Sequence, residues 1–122
     1  MLKVRLKSRQ LLEDTNGNII MGEGRQRILE LIELTGSINQ TAKLMRMSYR
    51  GVWGKIKATE KHLSKRVVIT ERRHGSRLTE DGKSLLMNYT RLKKACREVD
   101  QKIFRNIFKG SGLDPISGRD LG

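Results

Sequence analysis

Two serines placed to cap helices, Ser37 and Ser48, constrain this chain more than any other feature. Ser37 follows Gly36, a helix stop, and Gln40 stands at the capping-box spacing behind it. Ser48 follows a short break at Arg46-Met47. A helix therefore runs from residue 38 through Ala42 and Leu44 to Met45, and another from Tyr49 to Leu63. Ahead of them, Ile28, Leu29, Leu31, Ile32 and Leu34 mark an apolar stripe at helical spacing over Arg25 to Thr35. The middle of the chain is a run of helices joined by tight turns.

The last of these helices has two faces. Val52, Ile56, Thr59 and Leu63 recur at steps of four, three and four, a buried stripe, while Arg50, Gly54, Lys57 and Lys61 follow the same steps opposite. Trp53 lies beside the apolar stripe and reads as core. Tyr49, at the helix start, fits either packing or the outer face. After this helix, Val67-Val68-Ile69-Thr70 is β-branched throughout and reads as a strand. His74-Gly75-Ser76 turns the chain, and Arg77-Leu78 starts a return strand, giving a small hairpin over 67–78 with Arg72, Arg73 and Arg77 around its tip.

The ends read differently. Residues 3–21 predict a hairpin, with a mobile basic arm as the alternative: Val4 and Leu6 alternate with Lys3, Arg5 and Lys7, Asn16-Gly17 is a turn, and Ile19-Ile20-Met21 returns. Thr79, with Glu80 and Asp81 behind it, caps a long helix over 79–109. Leu85, Tyr89, Leu92, Cys96, Val99 and Ile103 alternate steps of four and three along it, a heptad-like seam. That seam is more apolar surface than so small a core covers, so a second copy is expected on it. Residues 110–122 hold four glycines and the only proline without periodicity, and predict a flexible tail. The fold class expected is mainly α with small β: one domain over 1–109, with an N-terminal hairpin, a helical centre, a β-hairpin and a long dimerisation helix.

Charge narrows the partner. The chain has 26 Lys and Arg against 13 Asp and Glu, a net charge of +13 and a pI near 10.5. Without the tail the body stands at +14, from 25 basic and 11 acidic residues. Folding does not call for this imbalance, and self-repulsion opposes it, so a polyanionic partner is implied. No run of about 18 apolar residues exists to span a bilayer, and the start, Met-Leu-Lys-Val-Arg-Leu-Lys, is no secretory signal. The single Cys96 forms no internal disulfide or metal site, sits on an apolar helix face, and fits a reducing cytoplasm.

A helix pair split by a tight turn over 38–63 has the dimensions of a helix-turn-helix. In that motif the second helix lies in the DNA major groove with its N-terminal residues at base edges. Here those are Ser48, Tyr49 and Arg50, with Arg50 suited to a bidentate contact with guanine. Gly54 allows close approach of the backbone, and Lys55, Lys57 and Lys61 suit phosphates. The hairpin fits a wing whose Arg72, Arg73, His74 and Arg77 reach phosphates or a narrow minor groove. Each cation alone is an ordinary solvated charge. Their grouping on one helix face and one hairpin tip is what points to DNA.

The stretches 22–30 (Gly-Glu-Gly-Arg-Gln-Arg-Ile-Leu-Glu), Thr35-Gly-Ser-Ile38, Ala42-Lys-Leu44 and Met47-Ser-Tyr-Arg50 followed by Trp53 resemble the N-terminal domain of the molybdate-responsive ModE regulators. Val68-Ile-Thr-Glu-Arg72 and Arg77-Leu-Thr-Glu-Asp-Gly82 resemble that family as well, and are similar to the wing of the wider LysR-type group. The likeness covers roughly residues 2–108, and the Met-Ser-Tyr-Arg-x-x-Trp run is its most specific part. It implies a cytoplasmic homodimer on a pseudo-palindromic operator, with DNA contact at Ser48, Tyr49 and Arg50 and at the wing from Arg72 to Arg77. The chain departs from the family in its short wing tip. It also lacks the molybdate-binding domains that follow in full-length members, so it is expected not to bind molybdate itself.

Two other readings stand beside that of a sequence-specific regulator. One is a non-specific or architectural nucleic-acid binder, which the charge alone supports. Single-strand binders, however, stack bases on exposed aromatics, and only five aromatic residues occur here, most on apolar stripes. The other is an interaction module that pairs with a larger regulator through the final helix. Catalysis is not expected: no Ser-His-Asp order, phosphate loop or metal spacing occurs, and His62 and His74 both lie in basic surroundings. No cofactor is expected.

Overall fold

The computed structural model describes residues 1–117. In chain order its elements are β1 (Leu2–Val4), β2 (Leu12–Glu13), β3 (Ile19–Met21), α1 (Glu23–Thr35), α2 (Ile38–Met45), α3 (Tyr49–Leu63), β4 (Val68–Glu71), β5 (Gly75–Leu78), α4 (Glu80–Phe108) and β6 (Leu113–Pro115). They form a winged helix-turn-helix, mainly helical with three two-stranded sheets. Residues 11–90 make one compact unit, and residues 1–10 with those from 91 onward make another.

The unit over 11–90 holds the helix-turn-helix and the wing. Its hairpin is shorter than the one expected over 3–21: β2 pairs β3 with Leu12 opposite Met21, and β1 takes no part. Asp14 closes the turn. Its Oδ1 accepts the backbone N–H groups of Asn16 and Asn18, each at 2.9 Å, and its Oδ2 accepts the Asn18 side-chain amide at 3.1 Å. Gly17 supplies the positive φ that the turn requires. In α1, Ile28, Leu29, Leu31 and Ile32 are buried, but Leu34 at the end of the stripe is 79 % exposed. Ile28, Leu29 and Ile32 meet Met21, Ile38, Val52, Ile56, Val67, Leu78 and Tyr89 in one core. Each such side chain contributes roughly 1.5–3 kcal/mol on burial.

Gly36 ends α1 in the left-handed conformation, donating its N–H to Ile32 O at 2.8 Å. Ser37 and Ser48 both cap as the sequence requires: Ser37 Oγ accepts from Gln40 N at 3.0 Å, and Ser48 Oγ from Gly51 N at 2.9 Å. Between α2 and α3, Arg46 adopts φ 55°, and its N–H and that of Met47 return to the last carbonyls of α2. This cap confines the turn to Arg46–Ser48.

The second unit pairs the two ends of the described chain. β1 runs parallel to β6, with Leu2 opposite Leu113, Lys3 opposite Asp114 and Val4 opposite Pro115. Ile116 N adds a bond to Val4 O at 3.0 Å. Gly110 and Gly112, both at positive φ, turn the chain out of α4 into β6. The tail expected over 110–122 is therefore ordered as far as Ser117, and its remainder, 118–122, lies outside the described residues. On α4, Phe104 is buried and its ring lies 5.3 Å from that of Phe108, while Gln101 Nε2 donates to Leu6 O at 3.3 Å.

Candidate nucleic-acid interface

Burial splits α3 as its sequence stripes require. Val52, Ile56 and Thr59 face the core, and Thr59 Oγ1 donates to Ile20 O at 2.9 Å, tying the helix to β3. Ser48, Tyr49, Arg50, Gly54, Lys55 and Lys61 are exposed. Arg50 and Gly54 stand one turn apart, and a Cβ built on Gly54 meets no atom within 4 Å. This surface is open, and its cations Arg50, Lys55 and Lys61 are spread along the helix from its first turn to its last.

Lys57 does not stand free among them. Its Nζ lies 4.4 Å from the centroid of the Trp53 ring and 3.0 Å from Glu60 Oε1. Tyr49 stacks on the other neighbour in this row, its ring 6.5 Å from Trp53 and 16° from parallel. Tyr49, Trp53 and Lys57 thus form one ladder at steps of four, and Trp53 also packs against the core. This engagement of Lys57 within the helix competes with the phosphate contact expected of it. Trp53 is a support for Tyr49, which is 48 % exposed.

Glu60, absent from the expected site, holds the wing to α3. Its Oε2 accepts the backbone N–H groups of Val67 and Val68 at 2.8 and 3.3 Å. Burial works to raise its pKa, but Lys57 and the two amides outweigh burial and hold the carboxyl below its ordinary value. Thr79 grips the same segment from the start of α4. Its Oγ1 donates to Arg66 O at 2.6 Å, and its N–H to Val67 O at 3.0 Å. Gly82 lies so close that a Cβ there would stand 2.2 Å from Val67 O. The spacing of Lys57 and Glu60 is visible in the sequence as a helical ion pair, but nothing local announces the bonds to Val67 and Val68.

The wing is pinned at a second point. Ser76 N donates to Gly36 O at 2.8 Å, and Gly75, at φ 73°, passes within 2.5 Å of that oxygen as measured from a built Cβ. Arg72, Arg73 and His74 project exposed from the tip. Arg77 pairs with Glu71 across the strands. An exposed pair of this kind contributes little, so it leaves Arg77 available to an anion. His62, expected in basic surroundings, instead has its Nδ1 3.7 Å from Asp14 Oδ2. The Asp14 carboxyl is held below its ordinary value by the backbone and side-chain bonds from Asn18 first, with Asn16 and His62 adding to them against burial.

The seam expected on α4 is also revised. Tyr89 is 1 % exposed within the core of the helix-turn-helix unit, and Leu85 packs against that core. Both are covered inside the chain. The exposed apolar stripe begins at Leu92 and continues through half-buried Cys96 to Val99, Ile103 and Ile107. Among the described residues, no group of three or more His, Cys, Asp or Glu could hold a metal ion. No helix among them is long and apolar enough to cross a membrane.

No family model matches the chain. It is 32 % identical over 105 residues to the molybdenum transport protein ModE of Azotobacter vinelandii, a match covering 83 % of this chain. The chain spans about two fifths of that relative, 39 % of its length. Among solved structures it is similar to the crystal structure of a CbnR_DBD–DNA complex, with a TM-score of 0.55 and 22 % identity over 67 % of this chain and 94 % of the other. ArgP from Mycobacterium tuberculosis superposes at a TM-score of 0.49 with 21 % identity, over 75 % of this chain and 42 % of that one. The chain carries a winged helix-turn-helix domain that is similar in sequence to part of that ModE protein.

Proposed function

We propose that this chain, a ModE-like winged helix-turn-helix domain, is a DNA-binding transcription regulator that reads a specific duplex site as a homodimer. The observation that carries this reading is the open face of α3. Ser48, Tyr49 and Arg50 stand exposed on the first turn after a tight, fully capped bend, as a helix entering a major groove needs. Arg50 supplies the fork that matches guanine. Tyr49 is held by Trp53 and adds a preorganised apolar edge. Lys55, Lys61 and the wing cations Arg72, Arg73, His74 and Arg77 contact phosphates and set the register. The DNA bound in the CbnR_DBD complex, a chain of similar fold, supports the same partner here.

The homodimer reading rests on Leu92, Val99 and Ile103, exposed with half-buried Cys96 along an apolar stripe at heptad-like spacing. A pair of copies supplies two recognition helices, one for each half-site of a pseudo-palindromic operator. A selection from genomic duplexes, followed by titration against a random duplex, tests the reading. A selected site bound at least about 10³-fold more tightly supports it. Equal affinity for every duplex contradicts sequence-specific regulation.

A further inference from the structure

The net charge of this chain is not centred on its helix-turn-helix. Residues 11–90 carry 14 Lys and Arg against 9 Asp and Glu, net +5 over 80 residues. The other unit carries 12 against 4, net +8 over only 42 residues. Something in the smaller unit concentrates cations that the recognition helix and wing do not explain.

Part of that concentration is a single row. From Lys3 to Gln10 burial alternates at every second residue, the period of an extended chain. Val4, Leu6, Ser8 and Gln10 are half-buried, whereas Lys3, Arg5, Lys7 and Arg9 are all exposed. The row is held from its inner side, where β6 pairs with Leu2–Val4 and Gln101 bonds Leu6 O. Four cations therefore share the outer side of this stretch, at a spacing that fully extended backbone would set at about 6.6 Å. No ion pair joins any of the four to a carboxylate among the described residues, and Asp114, opposite Lys3 in register, makes none.

We propose that Lys3, Arg5, Lys7 and Arg9 form a second DNA-contacting surface, one that follows the phosphates of a duplex strand and uses none of the residues of α3 or the wing. It rests on the reading of the chain as a duplex-DNA binder. A row of cations on a backbone tied down at Leu2–Val4 and at Leu6 suits a regular polyanion, because less ordering remains to be done on binding. A single strand is a poorer fit, since the row contains no aromatic platform. A membrane surface is poorer still, because the apolar alternate positions Val4 and Leu6 face the protein. The surface strengthens binding without reading sequence.

The test replaces all four with glutamine (K3Q, R5Q, K7Q, R9Q) in the full chain. Affinity for a selected duplex and for a random duplex is then followed against salt. Each lost phosphate contact lowers the slope of log K against log salt by about 0.9, so the slope falls by about 3–4 for both duplexes. The ratio between the two affinities stays unchanged, whereas R50A reduces it. The pairs K3Q/K7Q and R5Q/R9Q each give about half the change and serve if the fourfold variant does not fold. A slope that moves by less than about one contact overturns the proposal while leaving the regulator reading intact. Loss of binding confined to phosphatidylserine vesicles also overturns it. A parent chain that binds no duplex at any salt removes both readings together.

Discussion

Glu60 Oε2 lies 2.8 Å from the backbone nitrogen of Val67, and this bond joins the last turns of α3 to the root of the wing. The same carboxylate holds Lys57 and Val68, so one side chain sets the helix, its own ladder and the start of β4. Replacing Glu60 with alanine leaves the buried N–H of Val67 without its acceptor. The expected loss is about 1–3 kcal/mol of folding stability, read from urea unfolding. Because the folded-state pKa is below the ordinary carboxylate value, the charge contributes stability that is complete above that ordinary value. It is lost as pH falls through the lower folded value. The stability gap between the parent and E60Q should therefore shrink as pH is lowered from about 7 toward about 3.

Three glycines separate folding from binding. A Cβ at Gly82 would stand 2.2 Å from Val67 O, and one at Gly75 would stand 2.5 Å from Gly36 O at a positive φ. G82A and G75A are expected to destabilise by about 1–3 kcal/mol or more, since backbone atoms on both sides have to move. Gly54 has open space around it and lies inside a helix. G54A is expected to raise stability by up to about 1 kcal/mol. If α3 enters a groove at this point, the same change weakens DNA binding. Thermal melting and a binding titration on each variant check the pattern.

Cations on α3 should divide into two kinds. R50A is expected to cost about 1–3 kcal/mol at one base position and to relax specificity there. K61Q lowers the salt slope by about 1. K57Q leaves that slope unchanged and instead lowers the melting temperature, because Lys57 is engaged by Trp53 and Glu60. Salt titrations of the three variants distinguish these outcomes.

Along α4, Tyr89 and Val99 should behave oppositely. Y89A opens a cavity in the core of the helix-turn-helix unit and is expected to cost about 3–5 kcal/mol. The exposed pair V99E/I103E is expected to leave the unfolding of a monomer nearly unchanged while converting dimer to monomer, as read by sedimentation equilibrium. A variant that remains dimeric would place the subunit contact elsewhere.

Local chemistry made much of this fold readable. The caps at Ser37 and Ser48 and the stop at Gly36 announce α2 and α3, since each residue is chosen for a bond within four positions of itself. The wing is readable for the same reason, from β-branched residues around a glycine turn. What was not readable depends on distant partners. The alternation at Lys3–Lys7 predicts an extended chain but cannot say that its partner is Leu113–Pro115 rather than Ile19–Met21. Heptad spacing from Leu85 to Ile103 is continuous, yet Tyr89 is covered by its own core and Val99 is not. Periodicity gives the apolar face of a helix without naming the body that covers it. At the candidate site, exposure of Arg50 followed from the stripes of α3 and that of Arg72, Arg73 and His74 from the glycine turn. The engagement of Lys57 and the role of Glu60 depend on where Val67 returns in three dimensions.

The most direct test of the central claim is a fluorescence-anisotropy titration of the chain against a duplex selected from genomic fragments and a random duplex of equal length, at two salt concentrations. The account predicts at least about 10³-fold tighter binding to the selected duplex, with affinity for both falling steeply as salt rises. Equal binding to both duplexes, or binding indifferent to salt, would contradict it.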